Sequence, residues 1–209
     1  MWENIFNMSK IIFNFGVMCS SKSAQLLMTH HTYLNKGIKP LLIKPSIDNR
    51  DGVKTVSSRI GLSYDADLVI SDNTKMDSCL DKYFNEDGFS QVIMVDEAQF
   101  FTPELVHKIV SYARLHNLSV LSYGLLKTFQ NKLFEGSEAW LEECDTILEV
   151  KTSCSVNGCE RKATCNLRLQ NGKPVFSGDT VQIGGEESYT GVCANHWHNY
   201  PTGGGKYEA

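Results

Sequence analysis

Apolar and polar positions fall along this chain in two recurring textures. Short, nearly unbroken apolar runs occur at Ile11 to Phe15, at "PLLIKP" (Pro40 to Pro45), at Val92 to Val95, in "LSVLSYG" and in "TILEVK". They are too brief for helices and read as buried strands. Between them the spacing becomes helical. Ser23 to Asn35 carries Leu26, Leu27 and Leu34, with Gly37 as a stop. Pro103 to His116 opens on proline and sets Leu105, Ile109, Val110 and Ala113 near one face, and Ser137 to Asp145 reads as a further helix. Asp48 to Gly61 is polar and rich in turn formers, a loop or ribbon carrying Arg50 and Arg59. Strands that alternate with helices predict an α/β fold with a mainly parallel sheet covered by helices. Ligands of such sheets lie beyond the carboxyl ends of the strands, where Gly16 and Asp96 both stand.

After Lys151 the texture changes. Cysteines cluster, and "LRLQNGKPVF" reads as a hairpin around Asn171-Gly172. The expected division is a nucleotide-binding body over 1–150, a small lobe over 151–200 and a frayed glycine-rich tail over 201–209. The length of 209 residues suits one domain with a small appendage. At 42% hydrophobic and 21% charged, the chain can bury a real core.

Charge narrows the partners. The formal net charge is -4, with a pI near 5.9, which argues against nucleic acid, since a non-specific binder needs a basic face. Small anions remain open, because they need only local donors. No apolar stretch approaches the roughly 20 residues that span a bilayer, so no membrane partner is expected. The opening "MWENIFNMSKIIFNFGVMC" carries Glu3 and scattered polar residues instead of a basic leader and a clean apolar run. A reduced, cytoplasmic setting is expected, in which clustered cysteines are more often metal ligands than bridges.

Two constellations carry chemistry. "GVMCSSKS" (Gly16, Val17, Met18, Cys19, Ser20, Ser21, Lys22, Ser23) has the outline G-x-x-x-x-G-K-[ST], with Ser21 where glycine is expected, and it lies between a strand and a helix as a phosphate loop must. Lys22 would reach the phosphates and the Ser23 hydroxyl would hold Mg²⁺. The plainer reading is a serine-rich helix cap with a surface lysine. The strand Val92 to Val95 ends in Asp96 and Glu97, one carboxylate for Mg²⁺ and one to take a proton from an alcohol, or else a solvated strand end. Cys154 and Cys159, with Cys193 and His196 in C-x-x-H, make a plausible closed Cys₃His zinc site, for which Cys165 and His198 are rival ligands.

Further motifs then take on a family order. "VDEAQFF", "SYGLLKTFQNKLFEGS", "LEVKTSC", "RKATCNLRL", "VQIGGEESY" and "CANHW" resemble those of the zinc-containing thymidine kinases, from about Ile11 to His196, and the bacterial and phage branch is nearer than the animal one. The resemblance implies transfer of the γ-phosphate of ATP to the 5′-hydroxyl of thymidine, giving dTMP. It implies a P-loop-type kinase body, a zinc lobe with a lasso that closes over the base, a homotetramer, and dTTP as feedback inhibitor. Carried over by position, Glu97 matches the general base, and Gly16 to Ser23 with Asp96, Glu97, Ala98 and Gln99 line the triphosphate site. Arg50 matches an arginine near the phosphates, and Arg168 lies in a motif near the nucleoside. Cys154, Cys159, Cys193 and His196 fall on the zinc ligands, with Ser23 and Asp96 at the magnesium. Met18, Phe100, Leu125, Phe129, Phe134, Ile183, Gly184 and Tyr189 match the thymidine pocket. Taken singly, each aromatic has a plainer reading as core packing, and for Phe100 and Phe134 that reading stands level with the pocket. Ser21 departs from the family pattern. A left-handed backbone there would cost a serine roughly 1–2 kcal/mol. It leaves a second reading open, a catalytically poor relative that binds nucleotide as a sensor or assembly subunit. A zinc-ribbon nucleic-acid binder, suggested by Lys151, Arg161, Lys162, Arg168 and Lys173, conflicts with the acidic whole.

Overall fold

The structure, a computed structural model, describes residues 9–86, 88–178 and 189–200. Six strands form one sheet: β1 (Ile11–Phe15), β2 (Leu41–Pro45), β5 (Leu68–Ile70), β6 (Val92–Val95), β7 (Ser119–Gly124) and β8 (Thr146–Glu149). Their order is β5-β2-β6-β7-β1-β8, and every pairing is parallel. The strands at the centre are apolar on both faces because helices cover both. Ile11, Phe13, Leu41, Ile43, Ile93 and Val95 face one layer, which holds α3 (Pro103–Leu115) and α4 (Glu135–Glu143). Leu42, Met94 and Tyr123 face the other, which holds Leu26 and Leu27 of α1 (Lys22–Asn35).

The helices begin and end for local reasons. The Thr102 side chain accepts from the Leu105 N–H and Pro103 fills the first turn of α3. Gly37, at φ 73°, accommodates the left-handed turn that follows α1. Helix α4 spans Glu135–Glu143, two residues earlier than the apolar spacing suggests, because the turn after β7 ends at Phe134, whose extended backbone caps it. The polar stretch after Asp48 contains a two-stranded ribbon, β3 (Thr55–Ser57) and β4 (Ser63–Asp65). Strand β5, helix α2 (Met76–Asp81) and the π-helical turn after it carry too little periodicity to be seen in the sequence.

The second sheet is antiparallel, with β9 (Cys165–Gln170) between β10 (Lys173–Val175) and β11 (Tyr189–Val192), followed by α5 (Ala194–Asn199). The hairpin turn is Asn171-Gly172, both at positive φ as such a turn requires. Cys154, Cys165, Leu167, Val192, Cys193 and Tyr200 make up its small core.

Candidate active site and candidate metal centre

Strand β1 ends at Phe15 and α1 starts at Lys22, so residues 16–21 are the turn that joins them. It wraps a cavity of about 390 Å³ lined by residues 18–24, Arg50, Asp51, residues 57–60 and Glu97. Gly16 is required by crowding: a Cβ there would lie 2.3 Å from Ser20 Oγ and 2.7 Å from the Val150 carbonyl. Cys19 and Ser21 both take left-handed backbone, each at φ 65°. Ser21 thus sits in the conformation glycine favours, with its side chain exposed and making no capping hydrogen bond. The Lys22 ammonium donates to the Val17 carbonyl at 2.8 Å and lies 3.4 Å from Ser20 Oγ, curled over the loop it would serve. Burial lowers its pKa, while Glu97 and Asp96 pull the other way. The ammonium therefore stands at the start of α1 beside the loop, a position from which a lysine can reach an anion bound there.

The carboxylates meet this loop from β6. Ser23 Oγ donates to Asp96 at 3.1 Å, so the first turn of α1 and the end of β6 are joined where the two sequence motifs face each other. Burial, and then the neighbouring Glu97 charge, raise the Asp96 carboxyl well above the ordinary range. Glu97 has a left-handed backbone, φ 46°, which turns its side chain into the cavity. It accepts from Arg50 at 2.7 Å and from the Gln99 side-chain amide. Arg50 is in turn held by Asp48 at 2.6 Å, and the buried Lys44 ammonium stands 3.7 Å from Asp48. Gln99 also accepts from the Leu125 N–H at 2.9 Å, which ties β7 to the same network. The Ala98 carbonyl accepts from the Trp140 indole at 3.1 Å.

The aromatic candidates associate in two groups. Phe100 and Phe134 meet edge to face at 6.1 Å. Phe129 and Tyr189 meet at 6.5 Å, with the Arg168 guanidinium over the Phe129 ring at 5.2 Å. Leu125, Phe129 and Phe134 are buried, and Met18 lines the loop cavity. Ile183 and Gly184 lie outside the described residues.

At the other end of the lobe, the ligand atoms of Cys154, Cys159, Cys193 and His196 all lie within 4.8 Å of one another. His196 Nδ1 is 3.3 Å from Cys154 Sγ and 3.4 Å from Cys193 Sγ. A tetrahedral zinc with Zn–S near 2.3 Å and Zn–N near 2.0 Å separates S from N by roughly 3.5 Å. The four residues can therefore hold a metal such as zinc, with Gly158 at φ 73° making the turn between the first two cysteines. Cys165 is turned instead toward Asn131 and Thr164, and His198 is exposed, so neither rival belongs to the group.

Sequence reasoning missed Lys44, Asp48 and Asn166. A lysine inside an otherwise buried strand was a signal for the first. Asp48, two residues before Arg50, was one for the second. Asn166 stands within the motif "RKATCNLRL", but nothing there points to its contact with the loop.

The thymidine kinase family model matches residues 9–197. The chain belongs to the thymidine kinase family. The thymidine kinase of Lactobacillus acidophilus is 40% identical, with 91% of this chain and 96% of that one covered. Those of Lactobacillus johnsonii, at 41% over 91% and 96%, and Streptococcus pyogenes, at 36% over 92% and 98%, are similar throughout. Among solved structures, the Pif1 helicase of Candida albicans has a TM-score of 0.41 and 12% identity, over 71% of this chain and 37% of that one, too faint a likeness to bear on fold or activity. Membership of the thymidine kinase family agrees with the arrangement above, a lysine-bearing strand-to-helix loop brought against the two carboxylates that follow β6.

Proposed function

We propose that this chain is a thymidine kinase, moving the γ-phosphoryl group of ATP to the 5′-hydroxyl of thymidine. The observation that carries this reading is the Ser23–Asp96 contact, which brings the loop of residues 16–23 against the two carboxylates ending β6, within a chain matched by the family model over nearly its whole length. The loop N–H groups and Lys22 hold the triphosphate. Ser23 and Asp96 offer hard oxygen donors that fit Mg²⁺, and the raised Asp96 carboxyl is one that a cation would keep ionised. That ion would neutralise charge on the phosphates. Glu97 orients the 5′-hydroxyl and takes its proton as the new O–P bond forms and the bond to the β-phosphate oxygen breaks. Arg50, on Glu97 here, lies within the same cavity as the loop and is placed to move onto the phosphates. Phe100, Leu125, Phe129, Phe134 and Tyr189, with Arg168, offer the flat apolar walls a thymine ring needs.

The Cys₃His group holds a structural zinc in this reading, as closed sets do. The cytoplasmic setting, the tetramer and feedback by dTTP belong to the proposal as well. No described helix is long and apolar enough to cross a membrane.

The test is formation of 5′-dTMP from thymidine and Mg-ATP, wild type beside Ser21→Gly. Turnover by wild type supports the kinase. The left-handed Ser21 gives the sensor reading its footing. A silent wild type that Ser21→Gly restores would favour the sensor, and silence in both folded proteins would contradict the site.

A further inference from the structure

Loops that bind phosphate through their backbone must be held open before the phosphate arrives, since disorder in the loop raises the cost of binding. Here the loop carries an additional difficulty. Cys19 and Ser21 are both non-glycine residues at φ 65°, a left-handed conformation that is unfavourable for each. The strain persists only if surrounding contacts fix the backbone.

One such contact comes from the other sheet. The Asn166 side chain projects from β9 and is 4% exposed. Its Oδ1 accepts from the Met18 N–H at 2.8 Å, and its Nδ2 donates to the Lys127 carbonyl at 2.5 Å. Both ends of the amide are therefore used, one on the loop and one on the turn after β7. Beside it, β11 presses on the same stretch: a Cβ on Gly191 would lie 2.7 Å from Val17 Cγ2 and 2.9 Å from the Met18 carbonyl.

We propose that Asn166 is a positioning residue for phosphate-donor binding, holding the strained loop in its binding shape from outside the six-stranded sheet and offsetting the missing glycine at Ser21. It touches neither substrate nor reacting atoms. The inference rests on residues 16–23 being the donor-phosphate loop, so the test carries a control for that reading.

The experiment measures KM for ATP, KM for thymidine, kcat and melting temperature for Asn166→Ala, Asn166→Gln, Ser21→Gly and the double variant Asn166→Ala/Ser21→Gly, beside Lys22→Met. Asn166→Gln keeps a buried amide and so keeps the fold, but its extra methylene prevents the two contacts from being made together. Expected is a rise of about 10-fold or more in KM for ATP in both Asn166 variants, with KM for thymidine within about twofold. Hydrogen exchange should quicken at residues 16–23 in both. In the Ser21→Gly background the rise should shrink to a few-fold, since a relaxed loop needs less holding. Equal rises in both KM values that track a lost melting temperature would reduce Asn166 to ordinary packing and overturn the proposal. Strictly additive effects of the two substitutions would overturn the compensation. If Lys22→Met leaves KM for ATP unchanged, the loop reading itself fails. If Lys22→Met abolishes ATP binding and Asn166→Gln does nothing, only the positioning role fails.

Discussion

The core of the six-stranded body is built from aliphatic and aromatic side chains, from Ile11 and Phe13 through Ile109 and Val110 to Trp140. The core of the three-stranded lobe is Cys154, Cys165, Leu167, Val192, Cys193 and Tyr200, and two of those cysteines belong to the metal group. The first can stand on apolar burial at about 25 cal/mol per Å². The second is much smaller, and small lobes generally need a further staple, which a metal on its Cys₃His group would supply. Yet the loop that belongs to the body by sequence leans on the lobe, through Asn166 and Gly191. The lesson is that the smaller unit, whose cysteines could hold a metal, packs against and hydrogen-bonds the strand-to-helix loop of the larger one.

The largest effect that could break this contrast is metal removal. Because binding to such ligands is itself folding free energy, chelation or Cys193→Ser should unfold the lobe and leave the body's helical circular dichroism largely intact. A single cooperative loss of both would erase the distinction. Next comes the body. Trp140 is fully buried and its indole donates to the Ala98 carbonyl, so Trp140→Ala should cost about 3–5 kcal/mol in chemical denaturation, with metal content unchanged. Smaller again is Ser21→Gly. It removes a left-handed serine, and with glycine's greater freedom in the unfolded chain set against that gain, stability should change by about 1 kcal/mol or less. KM for ATP should fall several-fold.

The smallest effect is one of pH. His30 is 2% exposed, its ring 4.4 Å from Tyr64 of the ribbon, and burial lowers its pKa below 6.5, with Asp67 opposing. The folded state then binds fewer protons than the unfolded one as pH drops below 6.5, so stability is lost on acidification through that range. His30→Gln should flatten the slope there, read as the denaturation midpoint against pH.

How much of this was written in the sequence depends on the kind of burial. The central strands were legible because both of their faces are covered, which makes them apolar runs with no alternation: Ile93, Met94 and Val95 are each fully buried. The metal group was legible because Cys193 and His196 are close in the chain and few residue types bind zinc. The glycine that Ser21 replaces raised the question of a left-handed backbone, and the structure answers it at φ 65°. By contrast, β5 and α2 are short elements whose place is set by packing on β2 and α3, and they carry little periodic signal. The role of Asn166 was not legible for a related reason. Its importance comes from which backbone groups lie on either side of it, Met18 and Lys127, and these are far away in sequence. The left-handed turn at Glu97, which aims its carboxylate, leaves no mark on residue type either.

The most direct test of the account is Glu97→Gln, assayed for thymidine phosphorylation alongside calorimetric binding of ATP and of thymidine. Removing a general base of this kind should lower kcat by about 10²–10⁴-fold, while both ligands bind within a few-fold of wild type. Turnover within tenfold of wild type in the Glu97→Gln protein would contradict the assignment of the carboxylate at the end of β6.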